Sequence, residues 1–334
     1  MTLKEANKII EEIINNDNFY DYDLKDELFK KYTKIFPGKK RGPNFPEKGS
    51  ETDKKIWLET KAFDEYVSKI EAADKTIKKI SFKKRNLDDT NYPYLKKYML
   101  FRYQSANNKN RFDCDISYPV YLFYKSKFDD IVSISMYYYT PQYLDTYFSM
   151  QSLWGPWIEN LWNSGALGKD PKKKGSKLRS DFEWQLKNFD KITSLPNPKL
   201  QELFKAFDSL AHYYHTIGNI APCARGINSP KGFASGCYDR IDLFFKKEIN
   251  DSWLNWYFDD NSILNNSKYS DIVKKLRLEK FMNPVELDKF MNSESHNIKF
   301  PVNINDIDAI ENLTNYINAV VDLIKERRDE LKKI

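Results

Sequence analysis

The chain has 334 residues, 41% of them apolar and 15% aromatic, enough for a sizeable core and too many for global disorder. Its charges nearly balance, with 54 basic against 48 acidic residues and a formal net charge of +6, which permits an acidic partner but is less basic than a dedicated nucleic-acid coat. No apolar run reaches the roughly 18 residues that cross a bilayer, and three widely spaced cysteines argue against a disulfide framework, so a soluble protein of a reducing cytoplasm is expected.

In chain order, the first predicted element is an amphipathic helix with Thr2 at the N-cap, Glu5 three residues on, and Ile9, Ile10, Ile13 and Ile14 as its apolar stripe. A second helix is predicted over Leu24 to Phe36. GKKRGPNFPEKGS, Gly38 to Ser50, reads as an exposed connection to a third helix that Thr52 caps and that runs to about Ile80. From Asn91 to Tyr139 the texture turns aromatic and β-branched, and Val120 to Tyr124 with Ile131 to Tyr139 are predicted as a short antiparallel pair. Helical signals return at Trp154 to Trp162, at Ser180 to Phe189, and at Asn197, an N-cap residue followed by Pro198 at the first helical position. That helix buries Leu200, Leu203, Phe204, Phe207, Leu210, Ala211 and Tyr214.

Next comes HYYHTIGNIAPCARGINSPKGFASGCYDRID, His212 to Asp242, which holds two of the three histidines, two of the three cysteines and four of the eleven glycines. Helices are then predicted over Asp239 to Ile249, Ser252 to Phe258, Ser270 to Met282 and from Pro284 onward. The last helix carries Ile310, Leu313, Ile317, Val320, Ile324 and Leu331 at spacings of three and four, with Arg327 interrupting the seam. Packing of that seam on the body of the protein is the first expectation, and a helical dimer contact the second.

Within the unusual segment, a helical progression of about 100° per residue puts His215 on the shoulder of the buried face and His212 well round towards solvent. His212, His215, Cys223 and Cys237 follow H-x2-H-x7-C-x13-C, a donor set that zinc accepts, although the tight C-x2-C knuckle usual in loop-stapling sites is missing. Gly218, Gly226, Gly232 and Gly236 permit turns with positive φ that aim backbone N–H groups at an anion, with Arg225, Lys231 and Arg240 adding charge. Asp239 and Asp242 fit a helix start as N-cap and N3 acid, or, beside His215, an acid/base or divalent-ion cluster.

The run from Ile217 to Leu243, IGN-x2-P-x4-IN-x2-KG-x5-YDRIDL, resembles the IGG, FP, IN, RG and DR-x-DL segment of an uncharacterised bacterial family defined as a domain of unknown function. That resemblance implies a shared structural element and no catalytic residue. HTIGNIAP, with Asn228 and Lys231 following, is also similar to the GNL-x-L, N and K stretch of endonuclease domains of the His-Asn-His type. This second resemblance implies a nuclease in which His212 or His215 supplies the general base.

Other candidates have plainer explanations. Trp154, Trp157 and Trp162 are expected in the core rather than stacked on bases, PKKKGSKLR (Pro171 to Arg179) is expected as a solvated loop or a contact for nucleic acid or acidic protein, and His296 as a surface residue. Asp113 and Asp115, flanking Cys114, are two lone acids with only a weak claim on a metal. The heavy use of Asn, Lys, Ile and Tyr points to an AT-rich genome, that of a low-GC bacterium or its phage.

The expected fold is α+β, mainly α: a helical body with a small antiparallel sheet and a long irregular loop between two helices. A helical N-terminal subdomain over 1–90 and a main domain over 91–334 are expected, or one continuous domain. The leading function is that of a protein that binds nucleic acid or another protein, in a defence or counter-defence setting, through Asn219, Arg225, Asn228, Lys231 and Arg240. The alternative is a metal-dependent nuclease or phosphoester hydrolase with His215, Asp239 and Asp242 catalytic. No cofactor and no membrane partner is named.

Overall fold

The computed structural model describes residues 8, 11–12, 14–21, 91–106, 118–128, 144–146, 148–168, 174–222, 274–282, 284–290, 300–301 and 303–334. The described chain is mostly helical. Its longer helices are α1 (Pro93–Ala106), α2 (Tyr118–Lys127), α3 (Met150–Asn163), α4 (Pro198–Tyr213) and α5 (Ile307–Leu331). The helices expected over Leu24 to Phe36, Thr52 to Ile80, Asp239 to Ile249 and Ser252 to Phe258 lie outside the described residues, as does the long irregular loop.

At the centre, α4 packs against both α5 and α1. The start of α4 is the one its sequence dictates: Asn197 Oδ1 accepts from Lys199 N at 2.9 Å, while Pro198 occupies a position whose N–H would have no helical partner. Asn197 Nδ2 donates to Ile304 O at 2.8 Å, tying this helix start to the approach to α5. The apolar stripe from Leu200 to Tyr214 is buried as its spacing predicts. On α5, Ile310, Leu313, Ile317, Val320, Ile324 and Leu331 are all buried, and Asp306 caps the helix through Ala309 N. The seam therefore packs on α4 within its own chain.

The tryptophans of α3 belong to this core. Trp154 and Trp157 are fully buried, and Trp154 Nε1 donates to Gln185 Oε1 at 2.9 Å, so its polar edge is satisfied without water. Gln185 in turn donates to Leu178 O at 2.6 Å, which holds the short helix Gly175–Leu178 beside α3. Asp17–Asp21 forms a turn of 3-10 helix whose Phe19 and Tyr20 rings pack on Phe123 of α2 at 5.2 and 5.7 Å.

Two expectations need correction. The small sheet expected over Val120 to Tyr139 is not supported: Val120 to Tyr124 is part of α2, and Ile131 to Tyr139 lies outside the described residues. Val120, Phe123 and Tyr124 are buried at spacings of three and four, so helical burial overrides the strand preference of their side chains. The extended pairing that is described lies elsewhere and is three residues long, with β1 (Leu144–Thr146) antiparallel to β2 (Ile220–Pro222) and Asp145 opposite Ala221. The helix expected from Ser270 to Met282 is also interrupted. Arg277 takes a left-handed φ of 56° between buried Leu276 and Leu278, and helix resumes only at Glu279–Met282.

Candidate functional site

The segment that opens at His212 divides into an inner and an outer half. α4 ends at Tyr213, and the chain then tightens: Thr216 N and Oγ1 both donate to Tyr213 O, and Ile217–Asn219 forms a 3-10 turn leading into β2. Every residue from Tyr214 to Ala221 is buried. Asn219 fills the place of a missing strand partner, its Oδ1 accepting from Phe148 N at 3.0 Å while its Nδ2 donates to Phe148 O at 3.0 Å and to Tyr214 O at 2.9 Å. With its amide group spent on backbone, Asn219 is a structural residue in this arrangement.

Arg327 closes the inner half. Its side chain is 2% exposed, and Nε donates to Leu276 O at 3.0 Å. Nη1 is shared among Ile217 O, Gly218 O and Ile220 O at 3.1, 2.9 and 2.9 Å, and Nη2 donates to the Tyr124 hydroxyl at 2.9 Å. The Tyr124 hydroxyl in turn donates to Ile220 O. All these acceptors are uncharged oxygens, so the guanidinium is stabilised by carbonyl and hydroxyl dipoles in the core rather than by a counter-charge. Burial pushes the Tyr124 hydroxyl up, and the Arg327 charge beside it pulls it partly back. The residue that interrupts the apolar seam is thus the one that fastens α5 to the segment.

Gly218 has a different role from the one its residue type suggests. Its φ is not in the left-handed region, so no anion-binding turn is formed there. A Cβ at this position would lie 2.3 Å from Ile324 O, so glycine is required by the close approach of α5.

The outer half faces the other way. His212 is half-buried, with its ring 4.1 Å from Tyr94 of α1 and 4.6 Å from Tyr213. Its Nδ1 is buried with no hydrogen-bond partner among the described residues. Burial first, and then the charges of Lys97, Lys325 and Arg328, lower the His212 pKa against an opposing pull from Asp21, which keeps the ring neutral at pH 7. Lys325 Nζ lies 4.9 Å above the Tyr213 ring and the Arg328 guanidinium 5.8 Å from it. Arg328 also pairs with Asp21 at 2.5 Å, and Lys332 reaches the same carboxylate at 3.3 Å while lying 5.6 Å over the Tyr20 ring. Tyr94, 39% exposed, opens this strip of alternating rings and cations to solvent.

One turn back on α4, Asp208 Oδ1 accepts from Leu95 N at 2.8 Å and caps the start of α1 from a neighbouring helix. Burial pushes this carboxyl up to about 6, while the backbone amides of Leu95 and Tyr94 pull it down. Tyr92, the residue immediately ahead of Pro93, has no capping side chain, and its hydroxyl donates to Gln201 Oε1 at 2.6 Å. That gap in the local sequence was the available signal for a cap supplied from elsewhere.

Of the expected site residues, His215 and Asn219 lie in the buried half. His215 is 4% exposed with its ring 4.1 Å from that of Tyr214, deeper than the shoulder of the helix face, and His212 is half-buried, with the Tyr94 ring against it. Cys223, Arg225, Asn228, Lys231, Cys237, Asp239, Arg240 and Asp242 lie outside the described residues, as do Asp113, Cys114, Asp115 and His296. No cluster of His, Cys, Asp or Glu fit for a metal occurs among the described residues, and no helix among them is long and apolar enough to cross a membrane. Sequence marks Arg327 only as a break in the apolar seam, and it does not single out Tyr124 or Asp208. No family model, curated protein or solved structure matches the chain.

Proposed function

We propose that this chain is a nucleic-acid-binding protein whose contact surface is the outer strip of Tyr94, Lys97, His212, Tyr213, Lys325 and Arg328. The observation that carries the reading is the interleaving of cations with aromatic faces: Lys325 and Arg328 over Tyr213, and His212 between Tyr213 and half-open Tyr94. Phosphates attract the cations, and ring faces offer bases a stacking surface that does not depend on sequence. Lys174 and Lys177 are also exposed, on the basic stretch beside α3. Binding is preferred to hydrolysis because the expected general base, His215, is turned into the core. A bacterial or phage cytoplasm, with its defence systems, is the setting that fits this reading.

The test is fluorescence anisotropy with labelled oligonucleotides of 20 nucleotides across a salt series. Affinity is expected to fall steeply with salt, and Lys97→Glu with Lys325→Glu together should weaken binding by about tenfold or more and flatten the salt slope. Absence of binding at low salt overturns the reading.

A further inference from the structure

We infer that the strand taken by this surface is single, with an unpaired base stacked on the Tyr94 ring and its phosphates passing Lys97 and Lys325; this rests on the nucleic-acid reading above. Tyr94 stands in the first turn of α1 with its ring against that of His212 at an interplanar angle of 57°. One side of the tyrosine is therefore braced from within the molecule, and at 39% exposure the ring remains open to solvent. A large aromatic braced on one side and open on the other loses little freedom when it stacks.

The choice between single and double strands follows from what each presents. In a duplex, base faces are hidden in the stack and only groove edges are offered, which a helix or ribbon must enter. The helices that carry this strip bury their apolar faces in the body, so among the described residues the strip presents side chains and no protruding element. Lys97 lies three residues beyond Tyr94, on the same side of α1, and is placed for the phosphate next to a stacked base. His212, held neutral, adds a ring rather than a charge at this point.

Three labelled probes of equal length decide it: single-stranded DNA, single-stranded RNA and duplex DNA. Single strands are expected to bind at least tenfold more tightly than duplex. Tyr94→Ala should cost the single strand about tenfold and leave the duplex unchanged, while Tyr94→Trp should restore or exceed the parent affinity. Duplex bound as tightly as single strand, or a Tyr94→Ala protein that keeps its thermal midpoint and its single-strand affinity, overturns the inference while leaving nucleic-acid binding standing. If no probe binds, both fall together.

Discussion

The short stretch from His212 to Asn219 borders two unlike environments, a sealed one around Gly218, Asn219 and Arg327 and an open one where His212 and Tyr213 meet Tyr94. Both contain cations beside aromatic rings. In the sealed region the cation donates to uncharged oxygens and is 2% exposed; in the open one, cations reach Asp21, ring faces and solvent. Residue type alone does not separate an anchor from a contact surface; the partners and the burial do.

That contrast is broken first at Arg327. Arg327→Met should lower stability by about 3–5 kcal/mol, because several buried carbonyls lose their donor, and a lysine at this position should recover only part of it, having no planar fork. Urea unfolding measures this, and an Arg327→Met midpoint equal to the parent's would erase the distinction between anchor and surface. Next in size is Gly218→Ala, whose methyl must push α5 outward at a cost of about 2–3 kcal/mol. Both changes should act on unfolding midpoints, whereas Lys325→Glu should act on binding with little change in midpoint.

The smallest effect is a pH dependence of opposite sign at two neighbouring groups. Asp208 titrates near 6 in the fold against an ordinary 3.8, so the folded state holds its proton more tightly and stability rises as pH falls through that window. Asp208→Asn keeps the acceptor and removes the charge, and should gain about 1–2 kcal/mol at pH 7.5 after discount for partial exposure, with no gain near pH 4. His212 runs the other way: its pKa is lowered, so stability is lost as pH drops below about 6.5. Thermal melts from pH 4 to 8 should therefore diverge in opposite directions for Asp208→Asn and His212→Gln. Parallel profiles would show that these groups do not titrate as their surroundings dictate.

Much of the framework was legible because its signals are local. Asn197 and Pro198 mark a helix start by cap chemistry, and the spacing on α5 names its buried face. What was missed depends on contacts far along the chain. Val120 to Tyr124 looks like strand by side-chain preference, although Pro119, tolerated in a first helical turn and excluded from a central strand, was a signal against it. His215 sits deeper than helical spacing implies because α4 ends at Tyr213, and His212 is half-buried because α1 arrives from a distant segment with Tyr94 against it. Gly218 was assigned to backbone freedom when its cause is the approach of Ile324, a residue more than a hundred positions away.

The reach of Arg327 has a consequence for the order of assembly. Its bonds span 51 positions to Leu276, 107 to Ile220 and 203 to Tyr124, so every segment it fastens is synthesised well before it. Until it arrives, the carbonyls of Ile217, Gly218 and Ile220 lack the guanidinium that joins them in the finished fold. Closure of the core is in this way tied to the late arrival of one side chain, and long-range contacts of this kind slow folding by the loop entropy they must overcome.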